Sequence, residues 1–165
     1  MRARSRLRCI FTAALCLGTV VSARTGEESL WTDDFNTALD KADKENKDLL
    51  IDFSGSDWCP WCIRLKQEVW DQEAFRKQAP DQFVLVEADF PRSKPTKAGN
   101  EMLRREFGVR GFPSVVLTDS KGRAYARTGY REGGAEKYLE HLAFLKKRKA
   151  SRDELFAKAA QAQGI

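Results

Sequence analysis

The sequence is poor in the residues that build metal centres and disulfide scaffolds: its 165 residues include four cysteines and one histidine, His141. Two of the cysteines, Cys9 and Cys16, fall in an N-terminal leader-like segment, leaving Cys59 and Cys62 for the rest of the chain. A disulfide-stapled miniature fold is thereby excluded, and a chain of this length can bury one core without staples. No apolar run reaches the roughly 20 residues that a bilayer-spanning helix needs. Internal repeats and low-complexity tracts are also absent.

A lasting excess of positive charge is missing too. Residues 1–23 carry Arg2, Arg4, Arg6 and Arg8, then the apolar run Ile10 to Val21, then Val21-Ser22-Ala23. That order reads as a secretory signal peptide cleaved after Ala23. No adjacent arginine pair marks twin-arginine export, and neither Cys9 nor Cys16 follows a small residue, so the general secretory route is expected. Four of the 29 basic residues leave with the leader and none of the 24 acidic ones do, leaving 25 against 24. Such a balance provides no electrostatic footprint for nucleic acid. The expected product is an exported protein, periplasmic or secreted, that does not span a membrane.

Within residues 24–165 the pattern is that of one domain with its core over about 31–145. Trp31, Phe35, Ala38, Leu39 and Ala42 recur at helical spacing, with Thr32 and Asp33 available as a cap and Asn46 as a stop. Leu49 to Phe53 reads as a buried central parallel strand, and Pro60 to about Gln78 as a helix that begins at the cysteines. Phe83 to Phe90 reads as a second strand, followed by a Pro- and Lys-containing loop and a helix ending near Phe107-Gly108. Ser114 to Thr118 and Ala124 to Gly129 form a hairpin about Asp119-Ser120-Lys121-Gly122. Tyr138, Leu139, Leu142 and Leu145 mark a closing helix, and Ser151 with Glu154 suggests a capping box for a further short helix over 151–163. Alternation of strands and helices predicts an α/β fold.

The chemistry centres on Trp58-Cys59-Pro60-Trp61-Cys62, where a buried strand hands over to a helix. Donors at a helix start favour a thiolate, so Cys59 is the expected nucleophile and Cys62, one turn on, the thiol that resolves a mixed disulfide. A disulfide closing so short a loop constrains the unfolded chain little, so stabilisation is a poor reason for the pair. The competing reading is a zinc half-site, which lacks ligands, since only His141 could join two cysteines. Asp52 is a carboxylate in an apolar strand, a costly position that suggests a purpose. A solvent-facing or loop-capping Asp52 is the plainer alternative. Trp58 and Trp61 flank the nucleophile and offer apolar surface to a substrate, with core packing as the plainer role.

These residues resemble the thioredoxin family, and within it the secreted bacterial members with a Gly-Ser-Asp-Trp-Cys-x-Trp-Cys segment. The match spans about Trp31 to Leu145 and rests on the strand Leu49 to Phe53, the tryptophan-flanked Cys-x-x-Cys, and Gly111-Phe112-Pro113-Ser114. It implies a thioredoxin fold, with a mixed sheet of four to five strands flanked by helices and an extra C-terminal helix. It also implies a cis Phe112-Pro113 bond beside the cysteines, and a proton relay from Asp52 to the resolving thiol. Asp52 stands one residue farther from the first cysteine than the family pattern. Implied substrate contacts are Trp58, Pro60, Trp61, Phe112 and Pro113, the Phe112 backbone pairing with an extended chain. The implied activity is thiol-disulfide exchange on exported proteins, with the Cys59-Cys62 disulfide as the redox group and no bound cofactor or metal. Pro60-Trp61 carries no histidine to acidify Cys59, which favours reduction or isomerisation and calls for a membrane-bound electron donor. The alternatives are a non-catalytic binding module for unfolded clients and metal delivery through the thiol pair.

Overall fold

The computed structural model describes residues 29–162, so the leader, Cys9, Cys16 and the cleavage site after Ala23 lie outside the described residues. Five strands form one sheet: β1 (Trp31–Thr32), β2 (Asp48–Ser54), β3 (Phe83–Asp89), β4 (Ser114–Thr118) and β5 (Ala124–Thr128), in the order β1-β3-β2-β4-β5. β1, β3 and β2 run parallel, whereas β4 pairs antiparallel with both β2 and β5. The sheet is mixed, as a thioredoxin fold requires.

β2 is the centre of the sheet and every residue in it is buried. Its side chains alternate between two cores. Leu50 joins Leu85, Val115, Leu117 and Tyr138 on one face, and Leu49, Ile51 and Phe53 join Val84, Val86 and Val116 on the other. Helices α1 (Phe35–Glu45) and α4 (Ala98–Glu106) cover the second face. The first is covered by α2 (Pro60–Leu65), a π turn (Lys66–Trp70), α3 (Glu73–Gln82) and α5 (Gly134–Ala162). No helix among the described residues is long and apolar enough to cross a membrane.

Four expectations are corrected. Trp31 fits the helical spacing of α1, yet it pairs as a strand with Leu85. The cap of α1 is Asp34, whose carboxylate accepts the Thr37 N–H at 3.0 Å, so the helix starts after the residues proposed as its cap. The long helix from Pro60 is interrupted by the π turn, which brings Val69 and Trp70 onto the sheet. Finally, the segment 151–162 is helical but continues α5 without a break, because no glycine or proline follows Gly134 within it.

Two buried aspartates fasten this long helix to the sheet. Asp48 accepts from Lys149 at 2.9 Å and from the Tyr125 hydroxyl at 3.0 Å. Asp119 accepts from Arg152 at 2.9 Å, from Arg123 at 2.8 Å and from the backbone N–H groups of Lys121 and Arg123. Without the Asp119 carboxylate the Lys121 and Arg123 backbone N–H groups lose their acceptor, whereas Arg152 keeps Asp153 and two carbonyls and Arg123 lies largely in solvent. Asp119→Ala is expected to cost about 2 kcal/mol, read as a lowered urea midpoint with little change in slope.

Candidate active site

From the buried end of β2 the chain turns at Gly55, whose carbonyl accepts the Trp58 and Cys59 N–H groups at 3.3 and 2.9 Å. A Cβ at residue 55 would meet the Trp58 ring at 2.6 Å, so the glycine gives the indole its place. The turn is bracketed onto the segment after β3. Trp58 Nε1 donates to the Phe90 carbonyl at 2.7 Å, and the Asp57 carboxylate accepts the Arg92 and Ser93 N–H groups at 2.9 and 2.8 Å. Bonds from Ser93 and Arg92 hold the Asp57 carboxyl down at about 2. The Arg92 guanidinium lies 4.1 Å from the centre of the Trp58 ring, and the Phe112 ring meets that indole edge-on at 5.9 Å.

Cys59 is the N-cap of α2 and Pro60 its first residue, where a missing N–H costs nothing. The Cys62 backbone N–H donates to Cys59 Sγ at 3.2 Å, and the two sulfurs form a disulfide. When that bond opens, the same donor stabilises a thiolate on Cys59. Both cysteines are buried, 4% and 3% exposed, so only a slim edge is open to a partner.

The Phe112-Pro113 peptide is cis, as the family resemblance implied. Ser114 pairs with Phe53, so the proline stands at the same end of the sheet as the cysteine turn, and Phe112 touches Trp58 there. Trp61 is 51% exposed and leans on Tyr130, with ring centres 5.1 Å apart. Arg64 covers both rings, and Glu68 accepts from Arg64 Nε at 2.7 Å and from the Tyr130 hydroxyl at 2.6 Å. Trp61 is therefore an outward-facing aromatic, whereas Trp58 is half-buried and held by bonds on several sides. His141 is not with the cysteines: its Nε2 lies 3.0 Å from the Thr128 hydroxyl.

Asp52 is buried, not turned to solvent. It shares the face of β2 with Leu50, under the layer to which Leu65, Val69 and Trp70 contribute. Cys62 is the buried residue one turn before Leu65 in α2. One Asp52 oxygen accepts the Trp70 indole N–H at 3.0 Å, and the other has no partner. Burial pushes this carboxyl up to about 7, against the Trp70 bond that favours its charged form; Glu87 and Asp89 push it further and Lys66 opposes them.

Arg92, Tyr130, Arg64 and Glu68 were not singled out from the sequence, and Asp57 entered only as part of the Gly-Ser-Asp-Trp-Cys segment. Their only local trace is the Arg64 to Glu68 spacing of four, a common surface pair. The bracket joins residues 32 to 36 positions apart, beyond the reach of periodicity.

Residues 35–146 match the family described as the thioredoxin-like domain, and the chain belongs to that family. Disulfide bond reductase DsbH of Chlamydia pneumoniae is 30% identical over 118 residues, covering 69% of this chain and 71% of the relative. Thioredoxin-related protein DsbJ of the same organism is 30% identical over 122 residues, 70% of this chain, which spans about a third (35%) of that longer protein. A solved structure of a DsbH oxidoreductase superposes with a TM-score of 0.67 at 30% identity, covering 71% of this chain and 83% of the other. A thioredoxin from Thermus thermophilus, at 19% identity and a TM-score of 0.54 over 70% of this chain and 85% of its own, shares the fold. With the Cys59-Cys62 disulfide in place, the chain is a thiol-disulfide oxidoreductase whose redox group is that disulfide.

Two outcomes follow. Gly55→Ala forces the indole off its site and is expected to cost about 1–3 kcal/mol, visible as a lower unfolding midpoint and altered tryptophan fluorescence. The Asp52 carboxyl takes its proton more readily folded, near 7, than at its ordinary 3.8, so the folded state binds more protons between these values. Stability therefore falls as pH rises through that window, by a total on the order of 4 kcal/mol. Asp52→Asn removes that slope: in urea titrations its stability relative to the wild type rises from pH 4 to 8, and an unchanged difference contradicts the assignment.

Proposed function

We propose that this protein reduces or isomerises disulfides of exported proteins, as a member of the secreted bacterial group with the Trp-Cys-x-Trp-Cys segment. The observation that carries the reading is the Cys62 N–H aimed at Cys59 Sγ at the start of α2, at 3.2 Å. Cys59 attacks one sulfur of a substrate disulfide; that S–S bond breaks, the other substrate sulfur leaves as a thiolate that takes a proton from water, and Cys59 is left in a mixed disulfide with the first. Cys62 then attacks Cys59 Sγ, the mixed bond breaks, and the substrate sulfur leaves as a thiolate that takes a proton from water. Asp52 accepts the Cys62 proton; a carboxyl near 7 is matched to that exchange at neutral pH.

Phe112 and Pro113 present backbone for an extended substrate chain, Pro60 and Trp61 form the apolar rim, and Trp58 holds the rim in place. Residues 1–23 direct export and are removed after Ala23, leaving one domain over 24–165. A dithiol donor at the membrane returns the disulfide to the reduced form, as an oxidising compartment demands. DsbH is named a disulfide bond reductase, which favours the same direction here.

In an insulin-reduction assay Cys59→Ser is expected to be inactive, and Cys62→Ser to accumulate mixed disulfides that survive a non-reducing gel. Equal rates for Cys59→Ser and the wild type would remove the enzymatic reading in favour of a binding module.

A further inference from the structure

The face of the sheet that carries Asp52 holds a second acid directly beside it. Asp52 on β2 and Glu87 on β3 are register partners in a parallel pair, just as Leu50 and Leu85 are two residues earlier. Both pairs point to the same face, so an apolar layer is followed by a layer of two carboxylates. Asp52 is buried with one oxygen unpartnered, whereas Glu87 is half-buried and stands between it and the edge strand. Two neighbouring acids at a buried position oppose each other's ionisation, a cost that folding alone gives no reason to keep.

We propose that Glu87 is the second proton carrier of the active site, passing between Asp52 and solvent the proton that Cys62 releases. This rests on the reading of Asp52 as the acceptor for Cys62. As Cys62 Sγ bonds to Cys59 Sγ, the substrate sulfur departs with the electron pair of the broken bond. The Cys62 proton goes to the Asp52 carboxylate, from there to the Glu87 carboxylate, and then to water. Two electrons pass from the enzyme dithiol to the substrate, and the proton count closes when the departing thiolate is protonated by solvent.

The surrounding charges suit a shared proton. Asp52 is faced by Glu87 and Asp89 from β3, by Lys66 and the Trp70 indole from the π turn, and by Tyr138 from α5. Glu87 is faced by Asp89 on its own strand, Asp33 after β1, Lys66, and Lys94 from the loop after β3. Burial, and then Asp89, raise the Glu87 carboxyl above its ordinary value, the direction in which burial also moves Asp52. Lys66 acts on both acids while paired with Asp71 at the surface, so one cation serves both positions of the proton.

The test follows oxidation of the reduced protein by a small disulfide, from pH 5 to 9, in stopped flow with tryptophan fluorescence. Glu87→Gln is expected to move the acidic midpoint of the profile to lower pH and slow the resolving step by about tenfold, equivalent to one unit of lost basicity. Glu87→Asp restores both, and Cys59 alkylation rates stay as in the wild type. A Glu87→Gln profile that superimposes on the wild type, while Asp52→Asn alters it, overturns this inference alone. An Asp52→Asn profile that also superimposes removes the Asp52 role beneath it. If Glu87→Gln does not fold, Glu87→Ser carries the test on the same two readouts: a lowered acidic midpoint with a slowed step supports the carrier, and a profile that superimposes on the wild type contradicts it.

Discussion

A backbone N–H aimed at a sulfur is the contact on which this structure turns. Cys59 caps α2 with its own side chain, so the atom that ends the turn is also one of the two sulfurs of the redox disulfide. For that to work the chain must leave a fully buried strand and start a helix within a few residues. Gly55 permits the turn, the Trp58 indole closes over it, and Asp57 pins it to the backbone of Arg92 and Ser93. The sheet order serves the same end. Placing β4 antiparallel beside β2 brings Phe112 and Pro113 to the edge where Cys59 sits.

The same strand that positions the cysteines carries a buried carboxylate oxygen with no hydrogen-bond partner. Asp52 gives up hydration for one indole N–H and a second acid as neighbour. Asp48 and Asp119 are equally buried, but each is surrounded by cationic partners and holds α5 in place. The contrast separates two uses of a buried carboxylate. Paired ones fasten the fold, and the underpaired one is left able to take up a proton near neutrality.

Much of this was legible in the sequence, and for physical reasons. Four apolar residues over Leu49 to Phe53, broken only by Asp52 and flanked by polar segments, read as a buried strand, and Asp119-Ser120-Lys121-Gly122 as a turn. The location of Cys59 and Cys62 at a helix start followed from the run and from Pro60. The cis bond at Pro113 came from the family resemblance and not from any local pattern. What escaped depended on pairing. Trp31 happens to lie four residues before Phe35, which imitates a helix, while its strand is defined by Leu85 more than fifty residues away. The π turn has no glycine or proline to announce it, and the Ser151 capping pattern is overruled by a helix already under way. The Asp52-Glu87 pair required the register of two strands, which composition does not encode.

The most direct test of the central contact is the pH dependence of Cys59 alkylation in the reduced protein. A sulfur that accepts the Cys62 N–H should ionise with a midpoint below the roughly 8.5 of a free cysteine. A midpoint at or above that value would contradict the account, because the helix start would then be holding a thiol and not a nucleophile.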